Sequence, residues 1–392
     1  SQIMKLTVNT PEGTRDRLFA ECMGRRQVQE RLIRLFRQRG YREVSTPETE
    51  FYDLFARSGS AIPQEQMVQV FDQSGKLCVM RPDSTTPIAR VAATKLRALP
   101  LPQRLYYDQT VYRAGPAHSG GNRELPQCGV ELIGAAGMKA DLEMVATAVD
   151  ALRVCGASRF HVELGHAGFF RDVAARMELE EGEMERMRAL IEGKNFAALR
   201  DMLAPFRENP ASAALLRLSR LFGGPEVLDE AEALAGETEA VEYLRALYGE
   251  LSAAGYGALV RFDLGMVHQI DYYTGVVFRG YVEGAGDAVL SGGRYDSLVG
   301  VFGREAQATG FAVDVDAMAR TLPEAAPSAL DTVVHYAPGY LAKALEAVDS
   351  RPAGTCELSP CRTLESSCSL AREKGAKTVL VFDVTGERVV KV

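Results

Sequence analysis

At 392 residues, with 46% hydrophobic and 25% charged content, the chain is long enough for two or three domains, and it carries no run of the ~20 apolar residues that a membrane helix needs. Its 45 Lys and Arg against 52 Asp and Glu, a formal charge of −7, argue against a nucleic-acid partner, because neutralised phosphates supply most of such a binder's affinity. The opening "SQIMKLTVNTPEG" has no signal-peptide apolar region and the seven cysteines are scattered and odd in number, so a cytoplasmic protein with reduced thiols is expected.

In chain order, residues 15 to 40 read as an opening helix: Val28, Leu32, Leu35 and Phe36 share a face, and Gly40 suits a left-handed stop. "GYREVSTPETE" reads as a strand that ends at Pro47. A hairpin with Ser74-Gly75 as its turn follows, running into a helix after Thr85-Thr86-Pro87. "RLYYDQTVYRAG" and "LPQCGVELIG" are two further strands around a glycine-rich loop at 115 to 122. A helix from about 137 to 158 leads to the strand "FHVELGH", and the Glu-, Met-, Leu- and Ala-rich stretch at about 168 to 254 reads as a helical insertion. "ALVRFDLGMV", "YYTGVVFRGYV" and "DAVLSGGRYDSLV" return to strands and tight turns. After the linker "LPEAAPSA" comes a small α/β pattern of strand, helix, helix and strand.

Strands gathered by hairpins, with helices between and outside them, predict an α+β fold on a largely antiparallel sheet. The expected division is a core at 1–325, containing the helical insertion, and a small C-terminal domain at 328–392. The glycine-rich stretches lack the strand, fingerprint and helix of a nucleotide-binding turn. Cys356, Cys361 and Cys368 have only His335 nearby among the histidines, so no metal site is expected.

Several polar or aromatic residues fall on apparent strands among apolar neighbours: Asp83, Arg113, Gln127, Glu131, Tyr273 and Tyr295. A buried charge is costly unless paired. Carboxylates for an ammonium or an imidazole, an arginine for a carboxylate, and tyrosine hydroxyls together suit a zwitterionic amino acid.

"VYRAGPAHSGGNRELPQCGVELIG" resembles motif 2 of the histidyl-tRNA synthetases, and "IDYYTGVVF" resembles their histidine-specific signature. "SGGRYDSLVGVFG" with "ATGFAV" is similar to their closing core motif, "GYREVSTPETE" to motif 1, the dimerisation element, and "MRPDSTTPIARVA" to the segment that meets the substrate amino group. The resemblance covers about residues 10 to 320 and implies the class II synthetase fold. It also implies a histidine pocket in which Asp83, where synthetases usually have Glu, meets the amino group and Arg113 the carboxylate. Glu131 and Tyr273 would grip the imidazole, Gln127 and Tyr295 would complete the wall, and Gly310 matches a pocket glycine.

The same resemblance marks losses. The family has arginine where this chain has His268, an acidic adenine contact at Gly115, an arginine at Gly121, and a closing arginine at Ala317. A mostly neutral imidazole lacks the charge and the bidentate fork of a guanidinium. Adenylation depends on such oriented charges, so no catalytic residues and no cofactor are expected. "REKGAKTVLVFD" resembles the close of the synthetase anticodon-binding domain. From Ser328 onward, however, eight basic residues face eight acidic ones, and the preceding part looks shortened.

A synthetase-like core without adenylation machinery, opening with "TPEGTRDRLFAEC", resembles the regulatory subunits of ATP phosphoribosyltransferase, the first enzyme of histidine biosynthesis. That resemblance implies a dimeric core, a short-form catalytic subunit as partner in a hetero-octamer, and L-histidine as effector. Two other readings stay open on the residues: a divergent histidyl-tRNA synthetase or amino-acid ligase, which would exchange pyrophosphate into ATP, and a tRNA-binding sensor, which would bind tRNA in a salt-dependent way.

Overall fold

The structure, a computed structural model, describes residues 6–59, 62–114, 122–267 and 272–392. Helix α1 (Ala20–Gln38) buries Val28, Leu32 and Phe36 along one stripe and stops before Gly40, whose φ of 88° is the left-handed conformation expected there. The next stretch differs from the single strand read in the sequence. Strand β1 (Arg42–Glu43) joins the main sheet, while β2 (Thr49–Phe51) pairs in a separate one. Pro47 sits between them; a residue without an N–H cannot continue the ladder.

Helix α2 (Tyr52–Arg57) leads to the hairpin β3 (Gln69–Phe71) and β4 (Leu77–Met80), whose turn is held by the Asp72 carboxylate accepting from the Ser74 and Lys76 amides. These two strands and β2 form a three-stranded sheet in the order β2-β4-β3. Helix α3 (Thr85–Ala93) then precedes the long hairpin of β5 (Gln103–Tyr112) and β6 (Glu124–Ile133), after which come α4 (Gly137–Val154) and β7 (Phe160–His166).

The stretch expected to be helical holds α5 (Ala167–Ala175), α6 (Glu181–Glu192), α7 (Phe196–Leu203), α8 (Pro210–Leu218), the two-residue β8 (Phe222–Gly223), α9 (Glu226–Ala235) and α10 (Glu239–Ala253). Asn195, Asn209 and Thr238 cap α7, α8 and α10 by accepting from backbone amides, which explains where these helices start. Strands β9 (Val260–Asp263), β10 (Val276–Val282) and β11 (Leu290–Arg294), helix α11 (Leu298–Val301), strand β12 (Ala308–Asp314) and helix α12 (Val315–Arg320) complete this part.

The main sheet has nine strands in the order β1-β5-β6-β12-β11-β10-β7-β9-β8. Its pairs are antiparallel except β1 with β5 and β7 with β9. One face is apolar: Cys128, Val130, Leu132, Phe278 and Phe311 pack with α1 and α4 into a single core that continues into the buried leucines of α8 and α10. Phe36 meets Phe311 edge-on at 5.9 Å. The other face carries the candidate site.

By contacts the chain falls into two units, one made of residues 1–17 and 24–323, the other of 18–23 and 324–392. In the second, β13 (Thr332–Tyr336), α13 (Leu341–Asp349), β14 (Cys356–Leu358), α14 (Leu364–Glu373), β15 (Thr378–Asp383) and β16 (Gly386–Lys391) follow one another. They form a four-stranded sheet in the order β14-β13-β15-β16. Strands β14 and β16 are additions to the sequence reading: the first is three residues long and the second is mostly exposed, so neither shows a buried alternation. Cys78, Cys128, Cys155, Cys356, Cys361 and Cys368 are free thiols, and no metal-holding cluster of His, Cys, Asp or Glu is found among the described residues. No described helix is long and apolar enough to cross a membrane.

Candidate functional site

Strand alternation sets the site out in rows. Across the main sheet Glu131 lies opposite Gly310, Gly310 opposite Gly293, and Gly293 opposite Val277. One pleat further along, the row runs Tyr107, Gly129, Ala312, Ser291 and Arg279. Gln127 and Asp314 face each other in the next row. Residues of one parity point to one face. The glycines make room there: a Cβ on Gly310 would stand 1.9 Å from a Glu131 carboxylate oxygen, and one on Gly293 would stand 2.7 Å from the Tyr273 ring. Side chains of Glu131 and Tyr273 therefore lie flat across positions that only glycine leaves open.

The resulting cavity, about 120 Å³, is lined by Asp83, Arg113, Gln127, Glu131, Tyr273, Tyr295 and Gly310 together. These are all seven residues singled out in the sequence. Of the four positions marked as losses, Gly115, Gly121 and His268 lie outside the described residues. Ala317 is in the first turn of α12, its amide donating to the Asp314 carboxylate at 3.0 Å.

Glu131 is fully buried and held at both oxygens, by the Thr85 hydroxyl at 2.7 Å and by the Tyr295 hydroxyl. Burial pushes its pKa up to about 8, against the opposing pull of those two donors. At neutral pH it is thus mostly a neutral acid, able to exchange a proton with a basic ring. Asp83 precedes α3 and accepts from the Thr86 amide at 2.9 Å, doing the work of a helix cap. Among the described residues its other oxygen receives only the Thr86 hydroxyl, at 3.4 Å. Burial raises the Asp83 pKa, opposed by the Thr86 amide and by Arg113; burial likewise lowers that of Arg113, opposed by Asp83. The half-buried Arg113 donates from Nε to the Pro82 carbonyl at 2.8 Å, and its two terminal amino groups have no hydrogen-bond partner among the described residues.

A carboxylate, an open guanidinium and a buried acid lining one small cavity can hold a zwitterion with a basic side chain. Tyr107, Thr85 and Tyr272 also line it and were not singled out from the sequence. Tyr107 on β5 shares parity with Arg113, one residue past the strand's end, so alternation was a usable signal. Tyr272 was obscured because "YYTGVVF" reads as one strand, whereas the strand starts only at Val276. Both tyrosines reach the cavity for that reason: they sit outside the ladder, ring centroids 5.0 Å apart and edge-on, and Tyr272 stacks on Tyr295 at 5.8 Å.

Two expectations follow from this geometry. Gly310→Ala should destabilise the protein by about 1 to 3 kcal/mol, the usual range for overpacking, because Glu131 cannot keep its place. Denaturant unfolding measures this, and a change within error would mean that Glu131 moves aside freely. Secondly, the folded state holds the Glu131 proton up to about pH 8, while the unfolded chain releases it near 4.5. The folded state binds more protons in that window, so stability should fall as pH rises from about 4.5 to 8, by at most ~1.4 kcal/mol per pH unit. Glu131→Gln should flatten that slope in unfolding curves taken at several pH values, and an unchanged slope would assign it to other groups.

The model of the histidyl-tRNA synthetase family matches residues 13–318. The ATP phosphoribosyltransferase regulatory subunit of Clostridium acetobutylicum is 41% identical over 320 residues, which is 80% of this chain and 79% of that one. Among solved structures, an ATP phosphoribosyltransferase regulatory subunit/histidyl-tRNA synthetase from Bacillus halodurans superposes with a TM-score of 0.85 at 30% identity, covering 97% of this chain and 99% of its own. Histidyl-tRNA synthetase from Nostoc superposes with a TM-score of 0.77 at 19% identity over 99% and 97% of the two chains, a likeness of fold.

Proposed function

Because the chain belongs to the histidyl-tRNA synthetase family, and within it to the ATP phosphoribosyltransferase regulatory subunits, its role is regulatory and lies in histidine biosynthesis; we propose that it confers histidine feedback on a short-form catalytic subunit. The observation that carries the reading is a seven-residue constellation gathered in one cavity of a chain that has Gly121, His268 and Ala317 where the family has arginine. Histidine would place its imidazole at Glu131, its amino group at the less engaged oxygen of Asp83, and its carboxylate at Arg113. At the position of the family's closing arginine stands Ala317, beside two carboxylates, Asp314 and Asp316. The Asp316 carboxylate is occupied by Arg17 at 3.0 Å. That leaves Asp314 and no cation at the position where the family's arginine would meet a polyphosphate.

Feedback then amounts to a coupling free energy. Histidine must bind one arrangement of the assembly better than another, and the catalytic partner must in turn alter histidine affinity by the same factor. A homodimeric core joined to catalytic subunits in a hetero-octamer is the assembly this reading uses.

The test is pyrophosphate exchange. With histidine, ATP and labelled pyrophosphate, the chain should show no exchange, while histidine raises its melting temperature by mass action. Exchange at a rate typical of an enzyme would overturn the reading in favour of a synthetase or ligase.

A further inference from the structure

A second cavity, about 560 Å³, adjoins the first on one side only of the constellation. The two share Arg113, Gln127 and Tyr273 in their walls, whereas Asp83, Glu131 and Tyr295 line the smaller one alone. The larger space therefore borders Arg113, the group meant for the ligand's carboxyl end, and Tyr273, but not the two carboxylates of the pocket. Its volume is within the range of small-molecule sites.

Its charges are uneven. Arg279 on β10 is already paired with Glu192 of α6 at 3.3 Å, and Glu192 also receives the Val267 amide. That leaves Asp287 and Asp314, neither in a salt bridge among the described residues, against Arg113, whose terminal amino groups are unengaged. Asp287 and Asp314 each accept from nearby backbone amides, Ala288 and Ala317 respectively. Those bonds fix their positions and do not neutralise them. Among the described lining residues the three carboxylates Glu192, Asp287 and Asp314 outnumber the two guanidiniums Arg113 and Arg279, and a ligand oxygen on Arg113 leaves Asp287 and Asp314 as the unpaired charges of the cavity.

We propose that this second cavity is a subsite for a cationic group attached through the carboxyl end of a bound histidine, so that the site takes histidyl amides and dipeptides with a basic second residue. The proposal rests on the histidine pocket described above. Arg113 would grip the amide carbonyl, and the ammonium of the second residue would reach Asp287 and Asp314. Like-charge juxtaposition would reject an acidic second residue.

The experiment is calorimetric titration of the full chain with L-histidine, the dipeptide His-Lys and the dipeptide His-Glu. The expected result is His-Lys at least ten-fold tighter than His-Glu. In the Asp287→Asn/Asp314→Asn double variant, which keeps the local amide acceptors, that ratio should fall to about three or less with histidine affinity unchanged. Equal affinity of the two dipeptides in the unaltered chain, or binding of histidine with neither dipeptide bound, overturns the proposal. Binding of His-Lys without measurable binding of histidine would keep the subsite and defeat the feedback reading, and no binding by any of the three would defeat both.

Discussion

Replacing Arg113 by alanine is expected to lower the affinity for L-histidine by at least ~100-fold while leaving the protein folded. A charge-assisted hydrogen bond contributes about 1.5 to 3 kcal/mol, and a guanidinium can offer a carboxylate two of them. Here the fork is already oriented, since Nε is tied to the Pro82 carbonyl at 2.8 Å and the terminal amino groups have no partner among the described residues. Little side-chain entropy remains to be lost on binding. The folded state gives up little by the change, because burial disfavours this charge and lowers its pKa, with Asp83 opposing. Arg113→Lys should recover only part of the affinity, having the charge without the fork. Calorimetric titration decides: affinity within three-fold of the unaltered chain would mean that the ligand carboxylate sits elsewhere.

The second large effect concerns stability. Arg294 ends β11 and is 6% exposed; its Nε donates to Asp141 of α4 at 2.9 Å, and Nη1 donates to Asp296 at 3.0 Å and to the Ala135 carbonyl at 3.1 Å. Asp141, 3% exposed, also receives the Tyr243 hydroxyl from α10. Burial raises the Asp141 pKa, and Arg294 opposes that rise. Asp141→Ala would leave the buried guanidinium with Asp296 as its remaining carboxylate, a loss at the lower end of about 3 to 5 kcal/mol. Tyr243→Phe removes one hydrogen bond from the same network and should cost about 1 kcal/mol. Because Arg294 precedes Tyr295, the donor to Glu131, the alanine variant should weaken histidine binding as well. Urea unfolding of both variants measures the contrast; a loss below ~1 kcal/mol for Asp141→Ala would show that water reaches Arg294.

Much of the site was legible in the sequence because strand alternation places Gln127 and Glu131 on one face of β6 and Gly310 opposite Glu131 on β12. The motifs "DYYTG" and "GGRYD" supplied the rest by resemblance. Thr85 stayed hidden: a hydroxyl in the first turn of a helix looks like part of its cap, yet here Asp83 does the capping and Thr85 turns to Glu131. Arg294 and Asp141 were equally unreadable, being 153 residues apart, since nothing local announces a pairing across a core. In the fold, the break at Pro47 was visible, but the separation of β1 and β2 into two sheets was not, because each strand is only two or three residues long. Glu192 and Arg171 gave no signal as members of a helical stretch; in the structure Glu192 pairs with Arg279 beside the second cavity, and Arg171 donates to the Tyr273 carbonyl.

The central claim, that this chain makes a partner enzyme answer to histidine, is tested most directly by assaying phosphoribosyl transfer by a short-form catalytic subunit from the same source, with and without this protein, while histidine is titrated. The account predicts that activity rises on mixing, falls as histidine is added, and loses its histidine sensitivity when this chain carries Glu131→Ala. Activity indifferent to the presence of this chain would contradict it.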